Sequence, residues 1–257
     1  WDPGTGAWTQ LANMPTGKQN IQGAYWNGKI YVAGGFSTGS VHITENAIYD
    51  IATNTWSTGA PLPAAQSGRN VAFANKIYVF GGNPGPVATT RIYDIATNTW
   101  STGAPMPVAT TYGRSVVSGN FAYYVGGIAG ATTAAVHRYD LVANTWTTMA
   151  PLQTARTSAE VMASPDGTKI FAVMGGDATF FTGVPLAQSV EIYDIATNTW
   201  TYAANQVLTK AAAPSGGLAG GKLMVQGGVD GTVYLNNVQV STLTGGGGGC
   251  PTPSVNP

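Results

Sequence analysis

Residues 49–61 read YDIATNTWSTGAP, and the same stretch recurs unchanged at 93–105. Its first part, YDIATNTW, returns at 193–200, as YDLVANTW at 139–146, and in degraded form as WDPGTGAW at 1–8. Between the copies lies a second signal, a short apolar run closed by a glycine pair. These runs are KIYVAGG, KIYVFGG, FAYYVGG, KIFAVMGG and KLMVQGG, ending at Gly35, Gly82, Gly127, Gly176 and Gly228. Successive pairs stand 47, 45, 49 and 52 residues apart, so a unit of roughly 47 residues occurs five times. A fixed period of that length is the mark of a repeat architecture.

Composition decides what the unit is made of. The 257 residues include 35 Gly and 15 Pro, the poorest helix formers and the best turn formers. A hydrophobic content of 44%, with seven Trp and twelve Tyr, supplies core material and excludes a disordered chain. Each unit offers four short strands, a to d in chain order: an inner strand such as NVAFA, the apolar strand before the glycine pair, a strand ending in Tyr-Asp, and a strand carrying the Trp. Such a sheet cannot bury both faces alone, whereas sheets stacked radially cover one another. The glycine pairs, the Asp of each Tyr-Asp and the repeated Tyr and Trp are therefore read as fold-holding residues, the aromatics as wedges between sheets.

The period, with GG, YD and NTW in that order, resembles the kelch repeat from residue 1 to about residue 244, which implies a β-propeller. Trp8, Trp56, Trp100, Trp146 and Trp200 mark five blades. Residues 1–11 supply a d strand alone, and the last unit has a, b and c strands but no Trp motif. The fragments complement each other, so the expected fold is an all-β, five-bladed kelch-type β-propeller closed by the N-terminal strand, with residues 5–11 beside 233–241. Residues 1–244 are the propeller and residues 245–257, GGGGGCPTPSVNP, a linker or tail. Such linkers look like those joining modules of secreted proteins, and an extracellular, multimodular parent is expected.

Eleven Lys plus Arg balance eleven Asp plus Glu, and only 9% of residues are charged. That excludes a polyanion-binding surface, so no nucleic acid partner is expected. No apolar run is long enough to enter and cross a bilayer as a helix. The single Cys250 forms no internal disulfide.

With strands running alternately up and down, the b–c loops and the d–a connections share one rim. Aligning the units on the glycine pair gives a polar column at the start of the a strands: Gln22, Arg69, Arg114, Glu160 and Ser215. These side chains are expected to converge on the channel mouth. Arginine there offers a planar fork for carboxylates or sugar hydroxyls, and Glu160 accepts hydroxyl protons or neutralises the arginines. The alternative is a self-neutralising ring around the axis. Tyr112 and Arg156, with Lys18, lie on d–a connections of the same rim, and Asp177 follows a glycine pair. Phe180 and Phe181 stand in the longest b–c loop, 177–189, suited to stacking on a sugar or on an apolar patch.

Catalytic constellations are sparse. His42 and His137 fall on different blades, too few for a triad or a three-His metal site. Some kelch-like propellers hold copper through His and Tyr with a Cys-linked tyrosine, but the only Cys here is in the tail. No metal or cofactor is expected, and Glu45 and Glu191 lack the pairing a glycosidase needs. The expected function is a noncatalytic recognition module binding a glycan or protein on the rim. The alternatives are a sugar-modifying enzyme of mutarotase or epimerase type at the channel mouth, since some similar propellers act on sialic acids, and a structural or assembly domain.

Overall fold

The computed structural model describes residues 7–177, 188–204, 212–219, 222–230, 233–242 and 254–255. They form five four-stranded antiparallel sheets in a five-bladed β-propeller arrangement. Sheet 1 is Ala24–Trp26, Lys29–Ala33, Asn46–Asp50 and Thr55–Gly59. Sheet 2 is Ser67–Phe73, Lys76–Asn83, Thr90–Asp94 and Thr99–Thr102. Sheet 3 is Arg114–Ser118, Phe121–Val125, Val136–Asp140 and Thr145–Met149. Sheet 4 is Glu160–Ala163, Lys169–Val173, Val190–Asp194 and Thr199–Tyr202. Sheet 5 is Ser215–Ala219, Lys222–Gln226, Val238–Thr242 and Ser254–Val255. The a strands touch in succession from sheet 1 to sheet 5.

Successive side chains of a strand point to opposite faces, so the b strands are apolar throughout because both faces meet a neighbour. In sheet 2, Ile77 and Val79 pack on sheet 1, while Tyr78 and Phe80 pack on sheet 3. The same alternation builds the 3/4 contact around Tyr123, Ile170 and Tyr193, and the 4/5 contact around Phe171, Val173, Leu223 and Val225.

The repeated polar letters tie the sheets together. Asp94 Oδ1 accepts the N–H groups of Ala96 and Thr97, each at 3.0 Å, and this Asx turn starts the d strand. Asn98, left-handed at φ 54°, accepts from the Tyr93 hydroxyl at 2.7 Å and from the N–H of Ala60 in sheet 1's outgoing chain at 2.7 Å. Asn54, Asn144 and Asn198 make the same pair of bonds in their own units.

The glycine pairs mark where the next unit's chain crosses. A Cβ on Gly34 would sit 1.9 Å from Gln66 O, and one on Gly126 2.3 Å from Arg156 O. No other residue leaves room for that crossing.

The structure differs from the expected closure at the outer edge of sheet 5. There Ser254–Val255 pairs with Gln239 and Val240, which draws part of the expected linker into the sheet. Residues 7–11 form no strand, and Trp8 and Leu11 are exposed.

Candidate functional site at the channel mouth and rim

The polar column lies where the sequence puts it. Arg69, Arg114, Glu160 and Ser215 each pair across the sheet with the b-strand residue just before the backbone turns, respectively Phe80, Val125, Val173 and Gln226. A left-handed residue two positions earlier, Asn20, Tyr112, Ser158 or Ala213, swings the chain into most of these starts.

The column's chemistry is inter-blade bridging. Arg69 is only 4% exposed, which corrects the expectation of a rim charge open to ligand. Its Nε donates to Gly113 O of sheet 3 at 2.6 Å, and its Nη2 to Asn20 Oδ1 of the chain entering sheet 1 at 3.0 Å. Burial, then the neighbouring Arg114, pushes its pKa down to about 10, and the group stays protonated at neutral pH. Arg114 donates to Ala159 O at 3.2 Å and lies 3.7 Å from Glu160 Oε2. Gln22 Nε2 spans to Ser115 O of sheet 3 at 2.7 Å. Burial drives the Glu160 carboxyl up to about 7, against the pull of Arg114 and Arg69. Glu160 is thus half-protonated near neutrality, and of the column only it and Arg114 combine ionic character with partial exposure.

Arg156 also differs from expectation. It is fully buried, pairs with the equally buried Glu191, and donates to Met174 O at 2.9 Å and Ser189 O at 3.0 Å. Glu191 in turn accepts the N–H groups of Gln153 at 2.6 Å and Thr154 at 3.1 Å, so the pair fastens the d–a connection to sheet 4. Tyr112 is half-buried, and its carbonyl accepts from Ser158 N and Thr157 Oγ1 of the next unit. Asp177 is half-buried, and Phe180 and Phe181 lie outside the described residues.

Sequence reasoning gave no fastening role to three polar side chains two positions before the Tyr of Tyr-Asp: the buried Glu191 and His137, and the half-buried Arg91, which donates to Gln66 Oε1 at 2.8 Å. A polar residue recurring at that c-strand position was the available signal. Lys18, buried against Glu45 at 3.0 Å, is a further fastening of the same kind. Burial lowers the pKa of both His42 and His137.

Above the column, the rim is built from short hairpins in the b–c connections. Phe36–Ser37 pairs with Val41–His42, Ile128–Ala129 with Ala131–Thr132, and Val229–Asp230 with Val233–Tyr234. Single bridges Gln19 to Phe36, Thr111 to Ile128 and Ala212 to Val229 anchor each hairpin to the incoming chain. Val41, Val233 and Tyr234 project to solvent, Tyr234 at 86% exposure. Beside two of the hairpins open cavities of about 290 Å³, lined by Lys18, Gln19 and Phe36 among others, and about 370 Å³, lined by Ser215, Gln226 and Asn236.

Residues 23–63 and 69–107, which cover sheets 1 and 2, match the family model described as Kelch motif. These two stretches carry kelch motifs. A putative F-box/kelch-repeat protein of Arabidopsis thaliana is 33% identical over 82 residues, 32% of this chain and 24% of the relative. Kelch-like protein 35 of Homo sapiens is 36% identical over 77 residues, 29% of this chain and 13% of the relative. The matches thus span a quarter or less of these curated relatives. A solved structure titled "Structure of YjhT" superposes with a TM-score of 0.78 at 18% identity, covering 98% of this chain and 88% of that one, and shows a shared fold. Kelch propellers are typically protein-binding modules. Among the described residues, no three His, Cys, Asp or Glu side chains gather as a metal site, and no helix is long and apolar enough to cross a membrane.

Proposed function

We propose that this kelch propeller is a noncatalytic recognition module whose b–c rim binds a protein partner. The observation that carries the reading is Tyr234, an aromatic side chain held out in solvent by a hairpin whose base is bridged to the ring at Ala212 and Val229. A rigidly presented aromatic loses little conformational entropy on binding and is the residue type that dominates interface energetics. Val41 and Val233 add apolar area, and the adjacent cavities accept side chains of a partner. The near-neutral net charge suits a partner recognised by shape and apolar contact. The glycine and proline-rich stretch at 245–257 favours an extracellular, multimodular setting for that module.

Peptides selected by display on the isolated domain test this. Binding should weaken by about tenfold or more in the Val41→Ser, Tyr234→Ser double variant, with unchanged thermal unfolding. Binding that survives the double variant overturns the rim assignment.

One observation favours a second reading. Glu160, titrating near neutrality beside Arg114, has the pKa of a general acid or base for an anomeric proton transfer on an acidic sugar. Acceleration of sialic acid anomer exchange, followed by NMR and abolished by Glu160→Gln, would support that enzyme. No acceleration at high protein concentration removes it for this sugar.

A further inference from the structure

The chain has five arginines, and four of them are tied to oxygen acceptors: Arg69, Arg91, Arg114 and Arg156 each donate to a backbone or side-chain oxygen. Arg138 forms no ion pair among the described residues. It is half-buried and lies on the ring of Phe121, with its guanidinium carbon 4.3 Å from the ring centroid. Both residues break the repeat. Arg138 stands opposite Tyr123, the position that Ile48, Ile92 and Ile192 take opposite Tyr31, Tyr78 and Phe171, each of those isoleucines packed against a cluster between sheets. Phe121 stands at the start of the b strand, where the other sheets have Lys29, Lys76, Lys169 and Lys222. A third departure adjoins them in the turn that follows: Val142, 70% exposed, takes the place of Ala52, Ala96 and Ala196. Sheet 3 has thus exchanged an apolar contact and a lysine for a guanidinium on an aromatic platform, beside an exposed aliphatic side chain.

Stacking uses the face of a guanidinium and leaves its N–H edge for an acceptor, and that edge matches a carboxylate in two parallel bonds. The carboxylate on the same strand does not fill this role. Asp140 Oδ1 accepts the N–H groups of Val142 at 2.9 Å and Ala143 at 2.8 Å, so it is committed to its turn as Asp94 is. The Tyr123 hydroxyl, carried by the residue opposite Arg138, is buried without a hydrogen-bonding partner. Burial raises its pKa, with Arg138 pulling the other way, and the hydroxyl keeps its proton at neutral pH. This corner therefore holds more donors than the fold itself uses. Asp140 also sets the charge that the corner accepts, because it feels the field of Arg138 and balances it. A single negative charge fits beside that pair, whereas a doubly charged phosphate meets stronger repulsion from Asp140.

We propose that the end of sheet 3 opposite the rim hairpins is a docking point for a partner protein, where Arg138 on its Phe121 platform receives an Asp or Glu side chain and Val142 meets an apolar neighbour of that residue. The site lies at the a–b and c–d turns, so it is separate from the b–c rim and independent of the rim reading.

Two capped tripeptides, Val-Glu-Val and Val-Gln-Val, titrated against the whole chain test this. NMR follows the Arg138 Nε–Hε resonance and the backbone amides of Phe121 and Val142. The glutamate peptide should shift them saturably, with an affinity about tenfold or more above that of the glutamine peptide. Arg138→Ile, which restores the residue of three other sheets, should abolish the difference between the peptides without lowering the melting temperature. Arg138→Lys keeps the charge but not the planar fork and should lose most of the difference. Val142→Ala should weaken the glutamate peptide severalfold. Equal response to the two peptides, no saturable shift, or discrimination that persists in Arg138→Ile overturns the proposal. Inorganic phosphate that displaces the glutamate peptide and binds more tightly overturns the choice of a carboxylate. A melting temperature that falls by several degrees in Arg138→Ile, with both peptides equivalent on wild type, makes Arg138 a fastening between sheets and contradicts the docking role.

Discussion

The indole Nε1 of Trp100 donates to the carbonyl oxygen of Ala60, one sheet away and 40 residues earlier, at 2.7 Å. Trp146 to Ala104 and Trp200 to Ala150 repeat the bond at 2.9 and 3.0 Å. Each indole also lies against the Tyr ring of its own sheet, with centroids 4.9 to 5.1 Å apart in the three cases. The aromatic pair is thus a wedge with a polar latch, and the latch selects which main-chain segment of the neighbour it meets.

Truncating the wedge should have a cost that depends on the junction. Trp100→Ala, inside the sheet 1/2 cluster, should lose about 3 kcal/mol in denaturant unfolding, as buried aromatic truncations do. Trp56→Ala, whose indole belongs to none of the hydrophobic clusters between sheets among the described residues, should lose about half as much or less. Equal losses would show that the two indoles are equally covered.

Asn98 combines a left-handed backbone with two accepted hydrogen bonds. Asn98→Ala strains the turn and leaves the Ala60 N–H and the Tyr93 hydroxyl without their acceptor, for an expected loss of about 2–3 kcal/mol. Asn98→Gly relieves only the backbone part, so its melting temperature should lie between those of wild type and Asn98→Ala. An Asn98→Gly protein as weak as the Ala variant would assign the whole effect to the hydrogen bonds.

Much of this was legible in the sequence and some was not. The copies of YDIATNTW and the glycine pairs gave five units and the place of every b strand, because backbone crossings and Asx turns depend on local residue type. The column Gln22, Arg69, Arg114, Glu160 was also found by alignment. Its role was not, because Arg69's acceptors, Gly113 O and Asn20 Oδ1, come from two other units at separations that no motif records. Arg156 was misjudged for the same reason, its partner Glu191 lying 35 residues later on the third strand of sheet 4. The closure failed because the complementarity of the chain ends was read from strand labels alone, without the pairing that Ser254–Val255 makes.

Glu160 gives the fold a pH dependence opposite in sign to that of a paired carboxylate. Its folded-state pKa of about 7 lies above the ordinary 4.5, so the folded state holds the proton more tightly than the unfolded chain. That contribution is complete below about pH 4.5 and is lost as pH rises through 7. Relative to Glu160→Gln, the wild type should lose on the order of 1–3 kcal/mol between pH 4.5 and 8 in chemical denaturation. A difference between the two proteins that stays constant across that window would place the carboxyl in solvent.

The Arg156 and Glu191 pair should behave as a buried ion pair does. Glu191→Gln leaves a guanidinium without its counter-charge and should cost about 3–5 kcal/mol, while the selected peptides still bind the folded fraction. A loss of peptide binding at unchanged stability would move this pair from fastening to recognition.

The arginines of the column hold the blades together, while binding is proposed for the rim. The most direct test of this division is equilibrium unfolding of Arg69→Ala combined with titration of a display-selected peptide. A loss of about 2–4 kcal/mol is expected, from removing a buried, hydrogen-bonded charge, with peptide affinity unchanged. A stability change below about 0.5 kcal/mol together with lost binding would contradict it, because that is the behaviour of an exposed ligand-binding side chain.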